Sequence, residues 1–350
     1  MDNINNVLVI KLSSIGDIIH TVPAVNSIKK SYPSVNIDWV VDDRCADILK
    51  IVPNLRRNLV FNRKKWSRAR TLAQGSEVVK EHSVFVRTLR EAEYDYILDF
   101  QGLAVSAYVS ILSRGKKRLG VANLRELSWL VSQRVSKDGP AVHAVERGLA
   151  LARKIGADVS KPGYDLRVIA EDNEWVTCVL NKKGVKPGQK NIGIILGAGV
   201  PQKQWAVNKI VETAKVLIQK YNVILLGDKN QAGNEQVLLR ECPEVVSTVG
   251  LTGLTQFAAV LSRCNVVIGS DTAAVHIAMG YNIPTIGLYG PSNPLKTGLY
   301  GDGKKSVIYN KMKCSPCGIR PNCKNNVCMD KISPGEVVEE VEKMFAGVLK

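Results

Sequence analysis

The sequence predicts an α/β protein built from two parallel-sheet domains, and three observations carry that prediction. Apolar runs of six or seven residues, each closed by a turn, alternate with stretches of helical period, as β-α-β units do. The runs fall into two blocks, about 1–160 and 190–300, separated by VSKPGYDLRVIAEDN with Pro162 and Gly163 as turn signals. The length, 350 residues, is enough for two cores at roughly 150 residues per domain.

Taken in order, NVLVIKL (6–12) reads as the first strand and IIHTVPAVNSIKKSY as the helix after it. NIDWVVD (36–42) precedes RCADILKIV, and YDYILDF (94–100) precedes a Gly-containing turn and AVSAYVSILSR. The second block repeats the pattern with NIGIILG (191–197), NVILLG (222–227), NVVIGS (265–270) and PTIGLYG (284–290). A last helix, PGEVVEEVEKMFAGVL (334–349), spaces Val337, Val338, Val341, Phe345 and Val348 helically. That pattern suits either domain. The expected division is an N-terminal Rossmann-like domain over 1–165, a linker near 160–172, a C-terminal Rossmann-like domain over 173–333, and a closing segment, 334–350, returning to the N-terminal domain. Open parallel sheets place their crevices at the carboxyl ends of the strands, and two such crevices are expected to face each other across a cleft.

Hydrophobic residues make up 45% and charged residues 23%, which excludes a disordered chain, a collagen-like chain or a small disulfide scaffold. The 48 Lys+Arg against 32 Asp+Glu give +16 and point to an acidic partner: nucleic acid, anionic lipid or a phosphorylated substrate. The start, MDNINNVLVIKL, lacks the basic region and long apolar run of a signal peptide, so a cytosolic protein is expected. Its eight Cys are then expected to be reduced or metal-bound.

Three segments carry chemistry. Strand 265–270 runs into Asp271-Thr272-Ala273 and then AVHIAMG. Either a side chain there caps the helix, or the helix end presents free N–H groups and a positive dipole to an anion such as a diphosphate. Strand 191–197 continues into GAGVPQKQW. Gly197 and Gly199 permit close approach of a ligand to the backbone, and Lys203 is either a charge aimed at phosphate or a surface lysine. The GxxxxGK[ST] spacing is absent, which argues against ATP hydrolysis in a magnesium cradle. In Lys11-Leu12-Ser13-Ser14-Ile15-Gly16-Asp17, Gly16 suits a tight turn, and Asp17 either takes a proton from a hydroxyl or balances its own helix. Asp42-Asp43 reads as a solvated pair at a strand end.

In this order the segments resemble the heptosyltransferases of lipopolysaccharide core assembly, glycosyltransferase family 9, along almost the whole chain. KLSSIGDIIHTVPAV (11–25), DFQGLAVSA (99–107), HAVER (143–147), AGNE (232–235) and SDTAAVHIAMGYNIPTIGLYGPSNP (270–294) carry the likeness. The resemblance implies a GT-B fold and inverting transfer of L-glycero-D-manno-heptose from ADP-heptose to Kdo-lipid A, with no cofactor and no metal in catalysis. Asp17 matches the family's general base and Lys203 a lysine on the diphosphate. Asp271, Thr272 and Ala273 match the phosphate-binding turn. Ala273 stands where many members have Gly, which is tolerable if its φ is negative. Glu235 matches a ribose-binding Glu, and His276 is either a donor-side residue or packing. Gly197 and Gly199 join the donor side. Ser13, Ser14, Gly16, Gln101 and Arg125 join the acceptor side. HAVER is similar to the heptosyltransferase I branch; heptosyltransferase II, or a transferase adding a later core sugar, is the alternative.

The acceptor is anionic and sits in a membrane, so basic segments bear on it. Arg56, Arg57, Arg63, Lys64, Lys65, Arg68 and Arg70 occur without an acid between them, and Arg114, Lys116, Lys117, Arg118 and Arg125 follow. Arg63, Lys64 and Lys65 are taken as acceptor contacts, on an enzyme peripheral to the cytoplasmic face of the inner membrane. Against nucleic acid, the excess is spread, with 26 basic and 17 acidic residues in 1–165 and 22 and 15 in 166–350, and no recognition module appears. Against a nicotinamide enzyme on the same architecture, neither first-strand turn carries GxGxxG. Cys314, Cys317, Cys323 and Cys328 are expected either to hold a structural metal or to be reduced or disulfide-linked thiols.

Overall fold

The computed structural model describes residues 4–68, 71–135, 143–318, 323 and 326–347, so Arg70 and Val348 lie outside the described residues. It divides into two units, Met1–Asp165 and Leu166–Lys350.

In the first unit the strands are β1 (Asn6–Ile10), β2 (Asn36–Asp42), β3 (Arg57–Phe61), β4 (Glu93–Asp99), β5 (Arg114–Gly120) and β6 (Gln133–Arg134). They form one sheet in the order β3-β2-β1-β4-β5-β6, and every neighbouring pair is parallel. The helices are α1 (Ile15–Ser31), α2 (Arg63–Ser67), α3 (Leu72–Leu89), α4 (Ala104–Leu112) and α5 (Ala144–Lys154). Val7, Leu8, Val9 and Ile10 are all fully buried, because helices cover both faces of a parallel sheet and its central strand has no solvent side.

In the second unit the strands are β7 (Asn191–Ile195), β8 (Asn222–Leu226), β9 (Val246–Ser247), β10 (Val266–Ser270), β11 (Thr285–Tyr289) and β12 (Lys305–Tyr309). The helices are α6 (Ala170–Lys182), α7 (Val207–Leu217), α8 (Ala232–Glu241), α9 (Leu254–Ser262), α10 (Ala273–Gly280), α11 (Pro294–Thr297), α12 (Val327–Asp330) and α13 (Pro334–Ala346). This sheet runs β12-β11-β10-β7-β8-β9 and is again parallel throughout.

Each unit therefore has one topological switch point, where the chain stops building one half of the sheet and starts the other. It lies between β1 and β4 in the first unit and between β7 and β10 in the second. Connections leave the sheet in opposite directions there, and the gap at the carboxyl ends is where open α/β sheets take ligands.

One expectation is corrected and two are filled in. The basic run that starts at Arg114 is a strand: RGKKRLG pairs with β4 in register from Glu93–Arg114 to Asp99–Gly120. It has little apolar character to betray it, and Gly115 lets it lie against Ile97, whose Cδ1 would be 2.6 Å from a Cβ there. The closing helix α13 belongs to the second unit, not to the N-terminal domain. Val337, Val341 and Met344 are buried with Ile210, Ala214 and Ile332, and Trp205 Nε1 donates to the Ile332 carbonyl just before it. The linker 160–172 is held by side-chain bonds. Asn26 donates to the Gly163 and Tyr164 carbonyls and Lys30 pairs with Asp165. Further on, the Arg167 carbonyl accepts from Tyr281.

Candidate active site

In the first unit, the loops after β1 and β4 meet at the switch point. Asp99, the last residue of β4, is fully buried. Its carboxylate accepts from the N–H groups of Gln101 (2.9 Å) and Gly102 (2.8 Å) and from the Ser106 hydroxyl (2.9 Å). Burial pushes this carboxyl above the usual range, against the pull of those bonds. The turn they fix holds Gln101 against the neighbouring loop, where its Oε1 accepts from Leu12 N (3.1 Å) and Ser13 N (3.3 Å). Gln101 thus spends its carbonyl on shaping the loop that carries Ser13, Ser14 and Asp17.

Asp17 sits in the first turn of α1, where its Oδ2 accepts from both the N–H (3.1 Å) and the hydroxyl (2.9 Å) of Ser14. Its Oδ1 has no hydrogen bond among the described residues. One oxygen thus caps the helix, and the other points to no partner among the described residues. Gly16 does not form the tight turn it was expected to suit. It lies inside the first helical turn, outside the positive-φ glycines.

Lys11 escaped the sequence reading, though a lysine ending a run of four buried strand residues is a visible signal. Its side chain is buried and Nζ donates to the Phe100 carbonyl at 3.4 Å. Burial lowers its pKa, while Asp17 and Asp99 oppose that and Arg147 and Arg125 add to it. Arg125 is exposed, and its N–H donates to the Gly102 carbonyl at 2.9 Å, which ties it to the β4 turn. His143 caps α5 by accepting from Val145 N at 3.2 Å, and its ring lies 5.6 Å from that of His20.

The basic segment is less free than its sequence suggests. Arg56 and Arg57 both clamp the buried carboxylate of Asp38 at 2.6 Å, with Tyr94 also donating to it at 2.7 Å. Burial raises the Asp38 pKa, but those three hydrogen bonds outweigh it and hold the group below the usual carboxylate range. Lys65 reaches across to α3 and pairs with Glu77 and Glu81. Among the described residues Arg63, Lys64 and Arg68 have no carboxylate partner. Asp42 and Asp43 are not a solvated pair either: Asp42 is buried and Arg44 Nε holds its Oδ1 at 2.8 Å.

In the second unit, the loops after β7 and β10 meet at the other switch point. Gly197 has φ +78°, and a Cβ there would lie 2.3 Å from the Gln231 side chain, so both the turn and a close approach demand glycine. Gly199 has nothing within 4 Å of its Cβ direction. Lys203 ends a single turn of 3-10 helix (Pro201–Lys203), and Nζ donates to Asp271 Oδ2 at 2.6 Å and to the Asp271 carbonyl at 3.1 Å. On the far side His276, also buried, lies 3.4 Å from Asp271 Oδ1. Burial pushes the Asp271 carboxyl up, but the His276 hydrogen bond and the Lys203 charge hold it well below the usual range.

Thr272 is the N-cap of α10, and its Oγ1 is buried with no hydrogen-bond partner among the described residues. Ala273 opens the helix and is not among the positive-φ residues, so its N–H points out of a normal first turn. A polar hydroxyl without a partner beside free helical N–H groups fits an anion. Glu235, in the first turn of α8, accepts from the Ser247 hydroxyl, which itself accepts from Val249 N at 3.2 Å.

Cys314 and Cys323 are exposed, Cys317 is half-buried and Cys328 is buried. The Cys328 sulfur lies against Gly290, 2.9 Å from where a Cβ would be. No group of three or more His, Cys, Asp or Glu able to hold a metal occurs among the described residues. No helix among them is long and apolar enough to cross a membrane.

Comparison with known proteins agrees with this fold. The family model for glycosyltransferase family 9 (heptosyltransferase) matches residues 83–327. Lipopolysaccharide heptosyltransferase 1 of Pseudomonas aeruginosa is 27% identical over 97% of this chain and 98% of that protein. Lipopolysaccharide heptosyltransferase 2 of Escherichia coli K12 is 26% identical over 82% and 83%. The structure of E. coli heptosyltransferase WaaC with ADP superposes with a TM-score of 0.78 at 23% identity, covering 97% of this chain and 99% of that one. With two parallel six-stranded sheets and a family match through most of the chain, this protein belongs to glycosyltransferase family 9, the heptosyltransferases.

Proposed function

We propose that this enzyme is an inverting transferase that moves L-glycero-D-manno-heptose from ADP-heptose to the Kdo-lipid A inner core of lipopolysaccharide. The observation that carries the donor half is the Lys203–Asp271 pair at the second switch point, beside the unpartnered Thr272 hydroxyl and the N-terminus of α10. As the bond from the sugar to the β-phosphate oxygen breaks, negative charge grows on ADP. An ammonium and a helix N-terminus already in place stabilise that charge without reorganising. Asp17 supplies the other half: its free Oδ1 takes the proton of the acceptor hydroxyl as that oxygen forms the new bond to the anomeric carbon. Glu235 is the candidate for the ribose hydroxyls. Arg125, Arg63 and Lys64 are the candidates for the acid groups of the acceptor, at the surface of an anionic membrane. No cofactor enters these steps.

Transfer onto an acceptor that already bears one heptose is the second reading, favoured by near-equal identity to heptosyltransferases 1 and 2. One experiment separates them: ADP-heptose is offered with Kdo2-lipid A and with the same acceptor carrying one heptose. Turnover on the first alone supports the first reading, turnover on the second alone replaces it, and turnover on neither removes both.

A further inference from the structure

Part of the first unit's surface is apolar, rigidly held and basic at its margins. Leu127 is 63% exposed, Trp129 51% and Leu130 66%, while Ser128 between them is fully buried. This is not a loose loop. Arg125 N donates to the Gly102 carbonyl and Ser128 N to the Arg125 carbonyl, Ser128 Oγ donates to the Arg125 carbonyl at 2.7 Å, and Glu126 Oε2 accepts from Ala104 N at the start of α4. Glu126 (φ 52°) and Leu127 (φ 62°) are consecutive left-handed residues with side chains, a costly conformation that persists only where surrounding contacts impose it. Those contacts hold Leu127, Trp129 and Leu130 out in solvent. On α4 the exposed positions are Ala104, Tyr108 and Ile111, an apolar stripe at i, i+4 and i+7, and α4 packs against the 128–130 turn.

The geometry points to a membrane-docking face made of Leu127, Trp129 and Leu130 with the Tyr108–Ile111 stripe, and to the anionic surface of a lipid bilayer as its occupant. This deepens the proposed function, on whose lipid-borne acceptor it rests, by naming the face that meets the lipid. Charge selects the occupant. From Ala104 to Arg134 the chain has six basic residues and one acid, Glu126, and that acid is engaged at α4. Arg114, Lys117, Arg125 and Arg134 are exposed and have no carboxylate partner among the described residues. A second copy would bring these cations against one another, whereas anionic headgroups attract them as the Trp and Leu side chains enter the interface.

The full chain is sedimented with phosphatidylcholine vesicles, with and without phosphatidylglycerol and with no acceptor glycolipid present. The expected result is binding to the anionic vesicles that weakens with salt, and at least about tenfold weaker binding by Trp129→Ser/Leu130→Ser. That variant should transfer heptose to a water-soluble, deacylated acceptor at the wild-type rate, so failure of the face and failure of the proposed reaction register in different assays. If its melting temperature drops, Leu130→Gln alone carries the comparison. Equal vesicle binding by wild type and variants overturns the proposal. So does a wild type that ignores vesicles but forms, in analytical ultracentrifugation, a dimer that the variants lose.

Discussion

Lys203 Nζ stands 2.6 Å from Asp271 Oδ2, an ion pair that joins two loops 68 residues apart in sequence and leaves both side chains largely buried. The pair fixes the lysine across the switch point between β7 and β10. The other oxygen of Asp271 faces His276 at 3.4 Å.

Lys203→Ala should raise the KM for ADP-heptose and lower kcat, by about 10²-fold or more if the charge acts mainly in the transition state. Lys203→Arg should recover part of both. Steady-state kinetics with the donor varied at saturating acceptor makes the measurement. An effect confined to acceptor KM would take the donor away from this loop.

Asp271 gives a pH signature. Its folded-state pKa lies below the ordinary 3.8, so its stabilisation is complete above that value and is lost as pH falls below it. Wild type should therefore lose more melting temperature between pH 5 and pH 3 than Asp271→Asn does. Parallel acid profiles for the two proteins would mean that the pair contributes nothing to stability.

Asp17→Asn keeps an oxygen that accepts from Ser14 and loses the proton acceptor. It should melt like wild type and lose transfer by roughly 10²–10⁴-fold. Asp17→Ala should lose the same activity and, with the cap gone, about 1 kcal/mol of stability as well. Wild-type turnover in the Asn variant would remove Asp17 from the chemistry.

Gly197→Ala forces a left-handed side chain into Gln231 and should cost about 1–3 kcal/mol of stability. Gly199→Ala meets only open space and should fold normally. Any loss of ADP-sugar affinity in Gly199→Ala then reports a ligand passing close to the backbone, and calorimetry with ADP reads it directly.

Arg63→Ser/Lys64→Ser should raise acceptor KM, and should flatten its rise with salt, since exposed charges are screened over about 8 Å at physiological ionic strength. Lys65→Ser should do much less, because Glu77 and Glu81 already hold that ammonium. Equal effects of the two changes would return the whole segment to a solvated face.

Much of this was legible before the structure. β1, β2, β4, β7, β8, β10 and β11 each announce themselves, because a strand covered on both faces is a continuous apolar run and the turn after it is polar. The loops bearing Asp17, Lys203 and Asp271 follow directly, since they begin where those runs end. β3, β5, β6, β9 and β12 did not announce themselves. The first, second and last carry polar or basic residues on half-exposed faces, and β6 and β9 are two residues each.

What the sequence by itself determined is thus the α/β class and the loops at the strand ends, because local periodicity encodes them. What only the tertiary structure decided is which charges meet. Arg56 and Arg57 find Asp38 upstream, Lys65 finds Glu77 and Glu81 on the next helix, and Lys203 finds Asp271 across the switch point. A count along the chain records the cations and their neighbours in sequence. An ion pair depends on distance in space, and strand order and helix packing set that distance.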